Sequence, residues 1–289
     1  MNRKVYIRAA AQISVQEPLC EDWMLDPKQL SGPFLHCIDP DYRQFFSPMQ
    51  ARRMGLMFKR AMVTSRKVLE ASGVECPDAI ITGTALGCIE NTERFLDPLC
   101  RGGEETLSPT AFMQSTHNTV GSMVAIALGC HGYNCTYSQD GVSFESTLLD
   151  AVLQLECEGA GNVLAGAHDE ITDNVARLME ATEPGGYPFS EGSVAMLLSA
   201  GESLPDALCE VSDVRILSRR EAVEEAVAGY SAEYVMRNDV TFSLFGRCGS
   251  ASGLAVYAAA EMIAAGRYSS VLVVNESGSN AGLVFLKKV

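Results

Sequence analysis

The feature that most restricts the fold is a pattern that occurs twice. A helical stretch ends near a glycine, at Gly159 and again at Gly266. A short apolar strand follows, from Val163 and from Val271, then a turn, then a strand of alternating apolar residues. Val163 and Val271 set an offset of 108 residues. Strands alternating with helices build a sheet covered by helices, so two such passes without a linker predict two similar halves around one core. The halves are expected at 1–204 and 205–289, the second shortened, as one continuous unit. Further strands are expected at Val5–Ile13, Asp78–Thr84, Gly192–Ala200 and through Val211, Val214 and Ile216. Ser47-Pro48 reads as an N-cap with Pro in the first turn, opening one helix through Met54, Met57, Phe58, Ala61, Val68 and Leu69 to Gly73. Other helices are expected near His117–Gly129, Phe144–Glu158, 219–229 and Ser250–Ala265. The last is faced with Ala251, Gly253, Ala255, Ala258 and Ala259, which implies close packing. Residues 17–47, with Pro18, Pro27, Pro33 and Pro40, read as an irregular surface excursion.

Charge and cysteine usage narrow the function. With 22 Lys+Arg against 36 Asp+Glu, the net charge is −14. Phosphate backbones require clustered basic surface, so nucleic acid is not expected as a partner. No apolar run approaches the roughly 20 residues of a membrane span, and the start Met1-Asn2-Arg3-Lys4 does not read as a secretory signal. A cytoplasmic protein with no membrane insertion is the expectation. Ten cysteines are then expected as free thiols, several inside apolar text (Cys130, Cys157, Cys209). No C-x-x-C pair occurs and only four histidines are present, so neither a metal nor a cofactor is expected.

A set of short segments in order resembles the β-ketoacyl synthases, the condensing enzymes of the thiolase fold. Ile81-Thr-Gly-Thr-Ala-Leu-Gly87 resembles their G-T-x-x-G segment. Ser108-Pro-Thr-Ala-Phe112, Asn118, Gly121 and Leu128-Gly-Cys-His-Gly-Tyr-Asn134 resemble the family's approach to its nucleophile. Asn162–His168 with Asp169-Glu170, Pro188-Phe-Ser-Glu-Gly192, and Asn275-Glu-Ser-Gly-Ser-Asn280 are similar to later family segments. The resemblance spans roughly residues 78–289. It implies an α/β thiolase-like fold, two similar halves in α-β-α-β-α layers, reduced in size.

The catalytic positions depart from that pattern. A condensing enzyme needs a cysteine at a helix N-terminus, where the dipole favours thiolate, and two histidines. Here Thr136-Tyr-Ser-Gln139-Asp-Gly141 places Gln139 at the nucleophile. Gly246-Arg-Cys-Gly-Ser-Ala-Ser-Gly253 places Arg247 at the second histidine, and the segment of the first histidine reads as missing, with no His in 219–243. Gln139, Arg247 and Asn280 are thus expected in a vestigial active site without catalytic residues. Arg247 is expected in a structural ion pair, and His168 in a turn.

Glutamine in place of the cysteine marks the chain-length-factor branch, which pairs with an active ketosynthase in type II polyketide systems. The runs Gln114–Thr119 and Tyr137–Glu145 resemble the short subunit of aryl-polyene and flexirubin biosynthesis. The resemblance implies a heterodimer with a ketosynthase, contact with acyl carrier protein only through that partner, and an interface or tunnel wall drawn from Phe112, Met113, Asn118, Cys135, Tyr137 and Phe144. Two other readings stand beside it: an autonomous acyltransferase or thioesterase of the same fold using Cys135 or Ser138, and a non-enzymatic homodimeric scaffold.

Overall fold

The computed structural model describes residues 3–20, 22–218 and 222–289. The described strands are β1 (Lys4–Ile13), β2 (Phe34–Leu35), β3 (Ala79–Gly83), β4 (Tyr133–Tyr137), β5 (Asn162–Asp169), β6 (Phe189–Ser190), β7 (Gly192–Gly201), β8 (Cys209–Leu217), β9 (Tyr234–Met236), β10 (Ser270–Ser277) and β11 (Asn280–Lys287). The helices are α1 (Pro48–Arg53), α2 (Leu56–Ser72), α3 (Ile89–Gly102), α4 (Pro109–Ser115), α5 (Thr119–Leu128), α6 (Ser143–Glu156), α7 (Asp173–Thr182), α8 (Val223–Ala228), α9 (Asn238–Phe245) and α10 (Ala251–Ala264). None is long and apolar enough to cross a membrane.

Nine strands form one sheet in the order β4-β3-β5-β7-β1-β8-β11-β10-β9. Its pairing reads the same from the middle outwards. β1 is antiparallel to β7, β7 to β5, and β5 is parallel to β3. On the other side β8 is antiparallel to β11, β11 to β10, and β10 is parallel to β9. The repeat at Val163 and Val271 is thus β5–β7 and β10–β11. The halves join where Val5, Tyr6 and Ile7 pair with Val211, Glu210 and Cys209. The division expected at 204/205 falls in the loop between β7 and β8.

Strand alternation sorts the side chains into layers. Val163, Ala165, Val194, Met196, Val271, Val273, Val284 and Leu286 face one central cluster with α6 and α10. The opposite residues of the first half, Ile80, Leu164, Ala195 and Leu197, pack under α2 and α5. Those of the second half, Leu272, Val274, Leu283 and Phe285, pack with α8. The result is helix, sheet, central helices, sheet, helix, the five-layer thiolase-like arrangement. β1 serves two layers. Its pairing with β7 skips Arg8 between Ile7 and Ala9, and this bulge turns Val5 and Ile7 inward but Ala9, Ala11 and Ile13 outward.

Three sequence expectations need correction. The single helix from Ser47 is two, because Met54 turns extended (φ −104°, ψ 126°) and Gly55 opens α2. His168 belongs to strand β5, not to a turn. In the region expected at 219–229, the helix is α8, and residues 219–221 lie outside the described residues. The excursion at 17–47 is largely irregular but does not merely lie on the surface. Trp23 is buried against Phe245 and Tyr257.

A buried cation ties the excursion down. Arg60 on α2 is almost wholly enclosed and donates from Nε and Nη2 to Asp39 (2.7 and 2.8 Å), while Nη2 also lies 2.8 Å from Glu191. Glu191 in turn accepts from the backbone N–H of Cys37 and of Ile171. Removing the guanidinium leaves Glu191 buried without its counter-charge, so Arg60→Ala should destabilise the protein by about 3–5 kcal/mol in urea unfolding. A loss below about 1 kcal/mol would show that the clamp carries no such weight.

Candidate functional site: the elbow between β4 and α6

β4 and α6 are joined by a sharp elbow, Ser138-Gln139-Asp140-Gly141. Asp140 sits in the left-handed region at φ 53°, unusual for a residue with a side chain. The conformation is held from several sides. The backbone N–H of Gln139 donates to Ser143 Oγ (2.8 Å), which lies 2.6 Å from the Asp140 carbonyl and 3.0 Å from that of Thr84. From β10, Asn275 Nδ2 donates to the Gly141 carbonyl (2.8 Å), and Ser277 Oγ donates to Asp140 (3.2 Å). A Cβ on Gly141 would crowd Ser277, so the residue must be glycine for the two segments to meet.

The side chain of Gln139, which the resemblance would put at the nucleophile position, is an amide. Gln139 is an exposed residue, but its carbonyl oxygen accepts a hydrogen bond from Ser146 Oγ, one turn into α6. The amide is thereby folded back onto its own helix. An amide is no nucleophile, and among the described residues no histidine is hydrogen-bonded to the elbow. His36 pairs with Glu191, His168 is buried against Ser193 Oγ at 2.8 Å, and the His117 ring lies against Gly87. Burial pushes His168 down to about 3, so its ring is neutral.

Beneath the elbow lies a carboxylate that sequence reading missed. Glu145, in the first turn of α6, is fully buried. It accepts from Asn275 Nδ2 (2.9 Å) and from Ser252 Oγ of α10 (3.1 Å). Gly282 on β11 leaves room for it, since a Cβ there would collide with the Glu145 carboxyl group. Burial pushes Glu145 up to about 7, against which the bonds from Asn275 and Ser252 act. Asp169 behaves similarly. Its Oδ1 accepts from Thr84 Oγ1 and the N–H groups of Ala85 and Leu86, yet burial raises it to about 6.

The other expected site residues scatter. Arg247 finds its side-chain partners in the 183–189 loop. It stacks on Phe189 (3.8 Å to the ring centre), donates to the carbonyls of Glu183, Gly185 and Tyr187, and pairs with the Glu183 carboxylate (3.2 Å), fastening the 183–189 loop. Asn280 pairs with Ser277 across the β10–β11 turn; the side chains that reach the elbow are those of Asn275 and Ser277. Cys135 is half-buried on β4, the outermost strand, rather than enclosed in the sheet. Its neighbours are Tyr133 and Tyr137, with no imidazole to serve as a base. Burial raises the neighbouring Tyr137 to about 12 and Cys248 to about 11, so neither ionises near neutrality.

Phe144 is a correction. It is fully buried, packed near Gly253 of α10, and belongs to the core of this chain instead of its surface. Phe112 and Met113 on α4 are 55% and 65% exposed, and Asn118 is exposed at the start of α5. Along the open edge of the sheet, Ile126, Tyr133 and Leu153 are also exposed, on the elements α5, β4 and α6. A second feature is a run of like charge. Arg52, Arg53, Lys59, Arg60, Arg66 and Lys67 fall with no acidic residue between them, a local reversal in an acidic chain that counting total charge conceals.

The family model of the beta-ketoacyl synthase N-terminal domain matches residues 27–238. The chain belongs to the beta-ketoacyl synthase family. No curated protein matches it significantly. Among solved structures it is similar to a type II polyketide synthase acyl-carrier protein complex with its ketosynthase, AntDE:AntF (12% identity, all of both chains, TM-score 0.83). It is also similar to the ishigamide ketosynthase/chain length factor (15%, 99% of both chains, 0.79). A third is the ketosynthase ApeO in complex with its chain length factor ApeC from Xenorhabdus doucetiae (16%, 99% of both chains, 0.66). These likenesses establish a shared fold.

The carboxyl group beneath the elbow makes a pH prediction. Glu145 titrates near its ordinary 4.5 in the unfolded chain and near 7 in the folded one. Its share of stability is therefore full below pH 4.5 and lost as pH rises through 7, by up to about 3 kcal/mol. Glu145→Gln should make the fall in unfolding free energy between pH 5 and 8 shallower. An unchanged slope would contradict the assignment.

Proposed function

We propose that the chain is a non-catalytic, chain-length-factor-like subunit that pairs with an active ketosynthase and shapes elongation of a polyene or polyketide acyl chain. Gln139 carries the reading. The elbow keeps its strained geometry and its partners from β10, yet presents an amide bonded to Ser146 and no imidazole. Transfer of an acyl group through a covalent intermediate requires an activated nucleophile, and Gln139 offers an amide with no imidazole bonded to the elbow among the described residues. The chain length factors among the structural neighbours support the same reading, as do the Gln114–Thr119 and Tyr137–Glu145 runs for an aryl-polyene or flexirubin setting.

The pairing surface in this proposal is the edge of the sheet. β4 pairs on one side only, with β3, so its other row of backbone groups is open. Open edges of this kind seek another strand. Exposed Ile126, Tyr133 and Leu153 flank it, and desolvating such a patch is the usual drive for association. Phe112 and Met113 are then the side chains placed to bound a partner's acyl tunnel. Co-expression with a ketosynthase encoded beside it should give a stable 1:1 complex. A homodimer that ignores the ketosynthase would refute the heterodimer and favour a scaffold. In the reconstituted pair, Phe112→Ala and Met113→Ala should shift products to longer chains; unchanged length would remove both from the tunnel wall.

The acyl carrier protein reaches the complex through the partner in this reading, because like net charge disfavours docking here. Calorimetry of carrier protein with this subunit alone should show no binding. Binding abolished by Arg52→Glu with Lys59→Glu would instead place the carrier on α1 and α2.

A further inference from the structure

A fifth of this chain is charged, yet residues 106–139 contain no Asp, Glu, Lys or Arg. That is 34 consecutive residues, and the next longest stretch of this kind, Cys248–Ala260, has 13. The two lack charge for different reasons. The shorter one is core, since every residue of α10 from Ala251 to Ala260 is buried. The longer one is surface. Among its described residues, the buried ones are Thr119, Val120, Gly121, Val124 and Cys130. A surface kept in water ordinarily carries charge on roughly a quarter of its residues, and depletion of charge marks the centre of an interface. The stretch supplies α4, α5 and the edge strand β4, a continuous border of the sheet. Phe112, Met113, Ile126 and Tyr133 are exposed along it. Asp150 of α6, the carboxylate bonded to β4, is itself buried and accepts from Tyr133 Oη (3.1 Å) and Gln154 Nε2 (3.3 Å).

Resting on the pairing with a ketosynthase proposed above, we infer that the partner's opposing face is uncharged as well. The two edges are then joined by backbone hydrogen bonds and apolar contact, without ion pairs. The reason is the cost of burying charge. A charge enclosed against α4, α5 and β4 finds no counter-charge there, and an unpaired buried charge is strongly unfavourable. The face therefore rejects any surface that presents a charge, whichever its sign. Selection works by exclusion, not by matching opposite charges. The net charge of −14 still acts on encounter at long range. The contact itself holds no ion pair for salt to screen, so its lifetime is independent of ionic strength.

The test measures dissociation of the full chain from the ketosynthase encoded beside it. Between about 50 and 500 mM sodium chloride the dissociation rate should change by less than about twofold. Ile126→Lys and Ile126→Glu should each speed dissociation by about a hundredfold, to a like extent, and Ile126→Gln far less. Ile126 is 80% exposed, so the three variants should keep the urea midpoint of the natural chain. A dissociation rate that rises about tenfold with salt reveals ion pairs in the contact and overturns the inference. Tolerance of either charged substitution does the same. Both results leave the pairing itself intact. Absence of any complex at either salt concentration overturns the pairing, and the inference with it.

Discussion

The structure rests on burying two helices between the halves of one sheet. Every residue of α10 from Ala251 to Ala260 is buried, and its partner α6 lines the same central layer. Helices with sheet on both sides must be apolar all round and narrow enough to fit. A Cβ on Gly253 would come within 2.8 Å of Val194 and 3.2 Å of Ala167 and Phe144. This close approach places Ser252 against Glu145, and Glu145 in turn meets Asn275 beneath the elbow. The elbow geometry therefore follows from central-layer packing and needs no catalytic role to persist.

What the sequence revealed follows from where each element buries its side chains. Strands such as β5 and β10 are read easily because both faces are apolar, and α10 because small residues cover it. α3 and α4 escape notice for another reason: Pro98 stands inside α3, α4 is only the short stretch Pro109–Ser115, and neither buries a residue. The bulge at Arg8 is also invisible, since one inserted residue leaves Val5, Ile7 and Ala9 looking like plain alternation.

The site was legible in part, for a related reason. Gln139 and Arg247 stand out because the resemblance to the family would put a cysteine and a histidine there. The residues that hold the elbow do not. Glu145 reads as an ordinary helix-surface acid until Asn275, 130 positions away, is brought against it. Phe144 shows the same gap: the resemblance implies a place at the interface or tunnel wall, but its orientation on α6 sends it toward Gly253. Arg60 likewise gives no sign in sequence that Asp39 and Glu191 will enclose it.

The central claim of the proposed function is that Gln139, an amide bonded to Ser146, stands where an acyl chain would have to be taken up. Incubating the purified chain with a radiolabelled acyl thioester, then denaturing it and mapping labelled peptides, tests this most directly. The account predicts no covalent label on the chain. Label on Cys135 or Ser138 would contradict it and make this protein an enzyme in its own right.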